Sequence, residues 1–330
     1  MNRAALDQFV CPECRHAPLA LRATQADGEL VTEGVLTCPG CGCWFRIEHG
    51  LADLLPRALW RHDLRAAFAA RHGLDASTGA TDTTSFKARQ ISFFDSHAED
   101  YEEQVILQPL QVAFGEQHFL PWLRRSLKPG QRALDLGCGT GQTALYLADH
   151  GVAVTGVDIS EEMLRLAQRK AERAGHAGRI AYVVGDAENP PVRDSSHQGA
   201  VYMGTLHHLP RPDQDILAVG RKLAPGGVFY CQEPHRSPVR FLFDLLMKVW
   251  KLYDEEASES PLLGEEQVLG WLAAAGLQGR TTLSIYVPPH AFRFLGNRGA
   301  ARLLRFTDRM FPAIGLRRWG GFLVVEGRKP

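Results

Sequence analysis

From about residue 91 the apolar positions come in short β-branched runs separated by longer amphipathic stretches. Residues 133–136, 153–157, 180–184, 199–203 and 227–231 predict strands, and 143–150, 161–174 and 213–223 predict helices between them. Strands alternating with helices in this way imply an α/β fold with a doubly wound, mostly parallel sheet. Two further runs, 281–287 and 321–327, would complete seven strands as a closing pair. The N-terminal region reads differently: 19–24 and 30–37 predict short strands around a turn at Ala26-Asp27-Gly28-Glu29. An Ala- and Arg-rich helical stretch follows and fades into the small polar run from Ser77 to Thr84. The expected organisation is a small module over 1–56, a helical linker over 57–90, and a large domain over 91–330 with insertions at 236–261 and 288–319.

Composition changes this picture little. With 45% hydrophobic and 22% charged residues, the 330-residue chain is of the ordinary globular kind, which excludes disorder and fibrous repeats. The 37 basic and 37 acidic residues cancel, but not locally. Residues 280–330 hold ten bases against two acids, and 244–266 hold seven acids against two bases. Neutrality therefore says little about partners. No apolar run approaches the ~18 residues of a membrane span, and the N-terminus lacks the apolar stretch of a signal peptide, so a cytoplasmic protein is expected.

Of seven cysteines, five crowd between Cys11 and Cys43, which favours metal ligation over disulfides. Cys11-Pro-Glu-Cys14 and Cys38-Pro-Gly-Cys41 form two knuckles separated by 23 residues. Cys11, Cys14, Cys38 and Cys41 are the expected ligands of a closed structural Zn2+ site, and Cys43 could replace Cys41. A module this small needs such a staple, because its own core is too slight to hold it folded. The surrounding residues, Pro12, Pro39 and the run from Trp44 to Pro56, resemble the small zinc-ribbon family that activates eukaryotic methyltransferases.

The densest signal is Asp135-Leu-Gly137-Cys138-Gly139-Thr140-Gly141, a strand end followed by a nearly all-glycine turn and a helix. Such a turn lets backbone amides approach a ligand closely. A dinucleotide fold would space its glycines as G-x-G-x-x-G. Here the spacing is G-x-G-x-G, with an acid two positions before the first glycine, which suits an ammonium or sulfonium better than a pyrophosphate. Residues 91–235 resemble the class I S-adenosylmethionine (SAM)-dependent methyltransferases, near the ubiquinone and menaquinone biosynthesis branch. The resemblance implies a Rossmann-like sheet and a SAM site with a role for each motif. Asp135 would meet the methionine amino group, with Gly137, Cys138, Gly139 and Gly141 flanking the cofactor. Asp158 and Ile159 would hold the ribose, Asp186 and Ala187 the adenine, and Met203 the methionine arm. Met163 could pack on the adenine or simply fill the core. Tyr101 or Phe94, in the helix that covers the cofactor in this branch, could close over the sulfonium. One departure is visible: the usual acid before the fourth strand is Gln198.

Methyl transfer needs a base only if the acceptor carries a proton, and His207, His208, Glu233 and His235 are the candidates after strands four and five. Asn189-Pro190-Pro191-Val192 is similar to the motif of amino-group nucleic-acid methyltransferases but precedes strand four and lacks its aromatic, so it reads as a loop. The Phe-, Leu- and Trp-rich stretch within 236–261 suggests a lid over an apolar acceptor. The Arg-rich 288–319 admits a solvated face, an RNA grip or a membrane-surface helix. The expected activity is methylation of a small, largely apolar molecule. The alternatives are methylation of rRNA or tRNA and a SAM-binding scaffold without turnover.

Overall fold

The computed structural model describes residues 1–75, 85–238, 262–287, 292 and 294–330. The predicted lid falls almost wholly outside the described residues, as do 288–291 and 293 of the basic insertion.

Eleven strands form one continuous sheet: β1 (Ala20–Asp27), β2 (Leu30–Thr37), β3 (Trp44–Glu48), β4 (Leu51–Asp53), β5 (Arg132–Leu136), β6 (Ala153–Asp158), β7 (Ile180–Val184), β8 (His197–Met203), β9 (Leu223–Pro234), β10 (Gln278–Ser284) and β11 (Phe322–Arg328). Their order is β1-β2-β3-β4-β7-β6-β5-β8-β9-β11-β10. The seven expected strands, β5 to β11, are parallel from β7 through β9, and β11 closes antiparallel to both β9 and β10. The difference from expectation is that this sheet does not end at β7. Parallel pairing of Ala52 with Val183 and of Asp53 with Val184 carries it on into the ribbon, and the Leu54 N–H donates to the Val184 carbonyl at 2.8 Å. Strand β7 is buried along its whole length, so its outer edge would otherwise present unpaired backbone groups. Apolar side chains of the ribbon, Phe9, Leu36, Phe45 and Leu54, belong to the same core as Val157, Val183 and Leu164.

The helix His62–His72 folds back on the ribbon. Phe68 stacks on Trp44 at 6.0 Å, and the Arg65 guanidinium lies 3.4 Å from the Trp44 ring and 3.5 Å from that of Trp60. Such sandwiching keeps a buried cation in contact with aromatic faces. On the large domain, Glu161–Arg173 starts where the Ser160 hydroxyl caps Met163 N and ends in Lys170 and Arg173, matching the helix dipole at both ends. Helices Phe86–Ser96 and Ala98–Tyr101 pack across it, above the carboxyl ends of β5 to β7. These ends are where doubly wound sheets bind ligands.

Candidate functional site

At the carboxyl ends of β5, β6, β7 and β8 lies a cleft, the place where doubly wound sheets bind small molecules. The turn after β5 forms its floor. Gly137, Gly139 and Gly141 all take positive φ, at 64°, 49° and 79°. A Cβ on Gly137 would fall 2.2 Å from Thr205 Cγ2, and one on Gly141 2.4 Å from the Tyr182 hydroxyl. Gly139 meets no atom within 4 Å and faces the open cleft, the bare backbone a close-fitting ligand needs.

Three carboxylates sit around this turn in different states. Asp158 is buried at the end of β6, accepting from Gly139 N at 2.7 Å and Ser160 N at 2.9 Å. Burial pushes it up to about 6, against the pull of those amides. Asp186, two residues past β7, accepts from Glu188 N at 3.0 Å and pairs with Lys87. Lys87 also contacts Glu188 at 2.8 Å; burial opposes its charge, but the two acids hold it above the ordinary lysine value. Asp135 is different: it is only 1% exposed, neither oxygen makes a well-formed hydrogen bond among the described residues, and only the pull of the Ala144 backbone amide favours its charge. Burial first, then the charge of Asp158, pushes it up to about 8. An orphaned buried carboxyl of this kind is a vacancy for a cationic or hydrogen-bond-donating group. A ligand with a vicinal diol and an exocyclic amine has matching acceptors in Asp158 and Asp186, which line the cleft, with the third carboxyl, Asp135, buried just behind the glycine turn. The residues present therefore fit SAM.

Of the residues expected from sequence, Tyr101, Gly137, Cys138, Gly139, Asp158, Ile159, Met163, Asp186, Ala187, Met203 and His208 line the cleft. Asp135 and Gly141 lie beneath the floor. Outside the lining, Glu233 is fully buried and gathers the loop after β8: Thr205 N donates to it at 2.9 Å, Leu206 N at 2.8 Å and His207 Nδ1 at 2.6 Å. The His207 and His208 rings lie 3.9 Å apart, and Phe94 meets His208 edge-on at 5.9 Å. His235 is not brought to the cleft. Its Nδ1 bonds the Gly320 carbonyl at 2.7 Å, and burial lowers its pKa, so it is a strand-end residue tied to backbone. Gln198, standing where an acid was expected, accepts from Arg132 N at 2.9 Å across the opposite end of the sheet.

Sequence reasoning missed Lys87, Gln90 and Thr205 in the lining. Ser85, which caps the helix Phe86–Ser96 by accepting from Ala88 N at 3.3 Å, was the available signal for the first two. The Asn189-Pro190-Pro191 stretch is a tied loop: Arg15 Nη1 bonds Asn189 Oδ1 at 3.1 Å, and its Nη2 bonds Val192 O at 2.9 Å.

In the ribbon, the sulfur atoms of Cys11, Cys14, Cys38 and Cys41 all lie within 4.8 Å of one another. Cys11 and Cys41 are 3.6 Å apart and Cys14 and Cys38 3.5 Å, close to the ~3.8 Å edge of a tetrahedron with Zn–S bonds of about 2.3 Å. Cys43 is turned aside, its sulfur 2.7 Å from Arg57 Nη2.

Residues 134–231 match the methyltransferase domain family, and residues 6–50 match the Trm112p-like protein family. A SAM-dependent Diels-Alderase of Talaromyces variabilis is 38% identical over 125 residues, 37% of this chain and 42% of that protein. An O-methyltransferase of Aspergillus nomiae is 31% identical, covering 41% and 58%, and the 27-O-demethylrifamycin SV methyltransferase of Amycolatopsis mediterranei 36%, covering 31% and 38%. The chain thus spans about two fifths to three fifths of the length of these curated relatives. Among solved structures, the complex of the Haloferax volcanii Trm112 activator with a methyltransferase superposes at TM-score 0.50, with 21% identity, covering 72% of this chain and 97% of that one. A Haemonchus contortus phosphoethanolamine N-methyltransferase superposes at 0.52 with 19% identity, covering 76% and 61%. Both are likenesses of fold.

Proposed function

We propose that this chain, in which a class I SAM-dependent methyltransferase domain is joined to a Trm112p-like zinc ribbon, methylates a small, largely apolar acceptor. The division proposed is ribbon 1–56, linker 57–90 and catalytic domain 91–330. One observation carries the reading: a glycine turn and two carboxylates on adjacent strands share a cleft with the apolar side chains of Phe94, Ile106, Met203 and Leu209. Bound SAM supplies a methyl group already activated on a sulfonium. The protein must therefore chiefly orient the acceptor and keep water out. In this reading Asp158 accepts the ribose hydroxyls, Asp186 the adenine amine and Asp135 the methionine ammonium. The cysteine-rich ribbon suits a reducing compartment, and none of the described helices is long and apolar enough to cross a membrane.

Where the acceptor loses a proton, His208 is the residue at the cleft to take it. Glu233 fixes the His207 tautomer by accepting from Nδ1, and the His207 ring packs against that of His208 and positions it. His208→Ala is expected to lower kcat about 100-fold while S-adenosylhomocysteine affinity stays within about twofold. Unchanged kcat would remove the base from the scheme. The acceptor class is tested by incubating the protein and tritium-labelled SAM with cell extract. Label is expected in a solvent-extractable fraction, and label confined to RNA would overturn the reading.

The raised pKa of Asp135 supplies a second test. At pH 7 a carboxyl near 8 is mostly protonated, so docking an ammonium against it must expel about one proton. Affinity for S-adenosylhomocysteine should rise between pH 6 and 7.5, as the free protein loses that proton unaided. Calorimetry in buffers of different ionisation enthalpy should record the release, and Asp135→Asn should abolish it. Binding without proton release would break the assignment of Asp135.

A further inference from the structure

We propose that the helix Asn297–Ala313 and its flanks dock on an anionic lipid bilayer, gripping headgroup phosphates while apolar side chains enter the boundary beneath them. Arg298, Arg302, Arg305 and Arg309 recur at steps of four, three and four. At 100° per residue these steps gather the four within about 60° of the helix circumference. All four are exposed, and none makes an ion pair or hydrogen bond among the described residues. The opposite face buries Ala300, Ala301, Leu304 and Thr307, with the helix lying against Pro109–Phe114. Asp308 is the one carboxylate in the segment and is turned inward, accepting from Gln117 and from the Ser284 hydroxyl, each at 2.6 Å. The exposed face therefore carries positive charge with no acidic partner among the described residues.

The second observation is apolar. Six large hydrophobic side chains are exposed among the described residues, and four belong to this segment: Phe294 at 89%, Phe306 at 61%, Ile314 at 61% and Trp319 at 42%. Arginines and aromatics would also serve an RNA grip. Ile314, just past the helix end, has no π-face on which a base could stack. Arginines unpaired among the described residues, beside the exposed Phe306 on the helix and Phe294, Ile314 and Trp319 in its flanks, are what docking on an anionic interface requires. This binding does not depend on methyl transfer and is measured without SAM.

The experiment is flotation of the full chain with vesicles of phosphatidylglycerol and phosphatidylcholine, with pure phosphatidylcholine vesicles and with tRNA. Binding to the anionic vesicles alone, falling steeply with salt, is expected. An R302Q/R305Q variant should bind about 25-fold more weakly, at about fivefold per arginine. An F306S/I314S variant should also lose vesicle binding, with circular dichroism and S-adenosylhomocysteine affinity unchanged in both. Equal flotation of the parent and either variant would overturn the proposal. So would retention by tRNA with no affinity for anionic vesicles.

Discussion

Stripping zinc from the four-cysteine cluster is expected to weaken S-adenosylhomocysteine binding tenfold or more while leaving β5 to β11 folded. Two chain segments carry the effect. Arg15 follows the ligand Cys14 directly, and its guanidinium holds Asn189, Pro190 and Val192, the loop that continues from Asp186 and Ala187. The same knuckle adds Val10 N to Pro191 O at 2.9 Å and Cys11 N to His16 O at 2.9 Å. Structural zinc in small modules contributes on the order of 10 kcal/mol of folding free energy, so without it the knuckle should open and release Arg15. The adenine side of the cleft then loses its outer support. Removal with a strong chelator, followed by zinc colorimetry and calorimetric titration, measures both quantities on one sample. Unaltered affinity in zinc-free protein would show that the ribbon carries no part of the site.

How much of this was legible in the sequence depends on the distance over which each feature is determined. The turn from Asp135 to Gly141 is local: a strand end, positive-φ glycines and a helix start follow one another within ten residues, so its place at the cleft could be read directly. The knuckles are local in the same way, and their internal spacing carries the metal chemistry. Strand β4 is only three residues long, and its partner is β7, some 130 residues away. No alternation can show in three residues, so the join between ribbon and sheet was hidden. Lys87 sits in a stretch whose composition reads as linker, and its meaning comes from Asp186, 99 residues on. His235 failed in the opposite direction. It follows β9 as a ligand-binding residue would, but the antiparallel return of β11 places the Gly320 carbonyl against it.

Replacing Arg46 with Met is expected to lower stability by about 3 kcal/mol and to weaken cofactor binding as well. Arg46 is a ribbon residue, yet its three guanidinium nitrogens reach three carboxylates: Nε to Asp53 at 3.1 Å, Nη1 to Glu48 at 2.6 Å, and Nη2 to Glu161. Glu161 is itself 3% exposed and also takes Arg61 at 2.6 Å and Arg165 at 2.8 Å. Removing one member of a buried pair leaves a desolvated charge behind, a cost of about 3–5 kcal/mol; the lower figure applies because two arginines still face Glu161. At ~2.1 cal/mol/K of unfolding entropy per residue, Tm should fall by about 4 °C. Arg46→Lys should not rescue it, since the three carboxylates are met by three separate nitrogens of a planar guanidinium, and a lysine offers a single nitrogen. The link to the cofactor runs through adjacent residues. Glu161 begins the helix that Ser160 caps; Ser160 N donates to Asp158 at 2.9 Å, and the Ser160 hydroxyl to Asp95 at 2.6 Å. Asp95 is in turn held by Arg61 at 2.7 Å, so the proposed ribose carboxylate rests on a chain of contacts starting in the ribbon. Burial alone would raise Glu161, but Arg46 and Arg61 hold it below the ordinary glutamate value. A depressed acid stabilises the fold above its unfolded pKa and loses that contribution as pH falls through the folded value. The stability gap between wild type and Arg46→Met should therefore be full at pH 7 and shrink below about pH 4.5. Denaturant titration at the two pH values, with S-adenosylhomocysteine affinity measured alongside at pH 7, reads every term. A gap that stays constant from pH 7 down through the depressed value of Glu161, well below about pH 4.5, would mean that Arg46 stabilises by packing and not by charge.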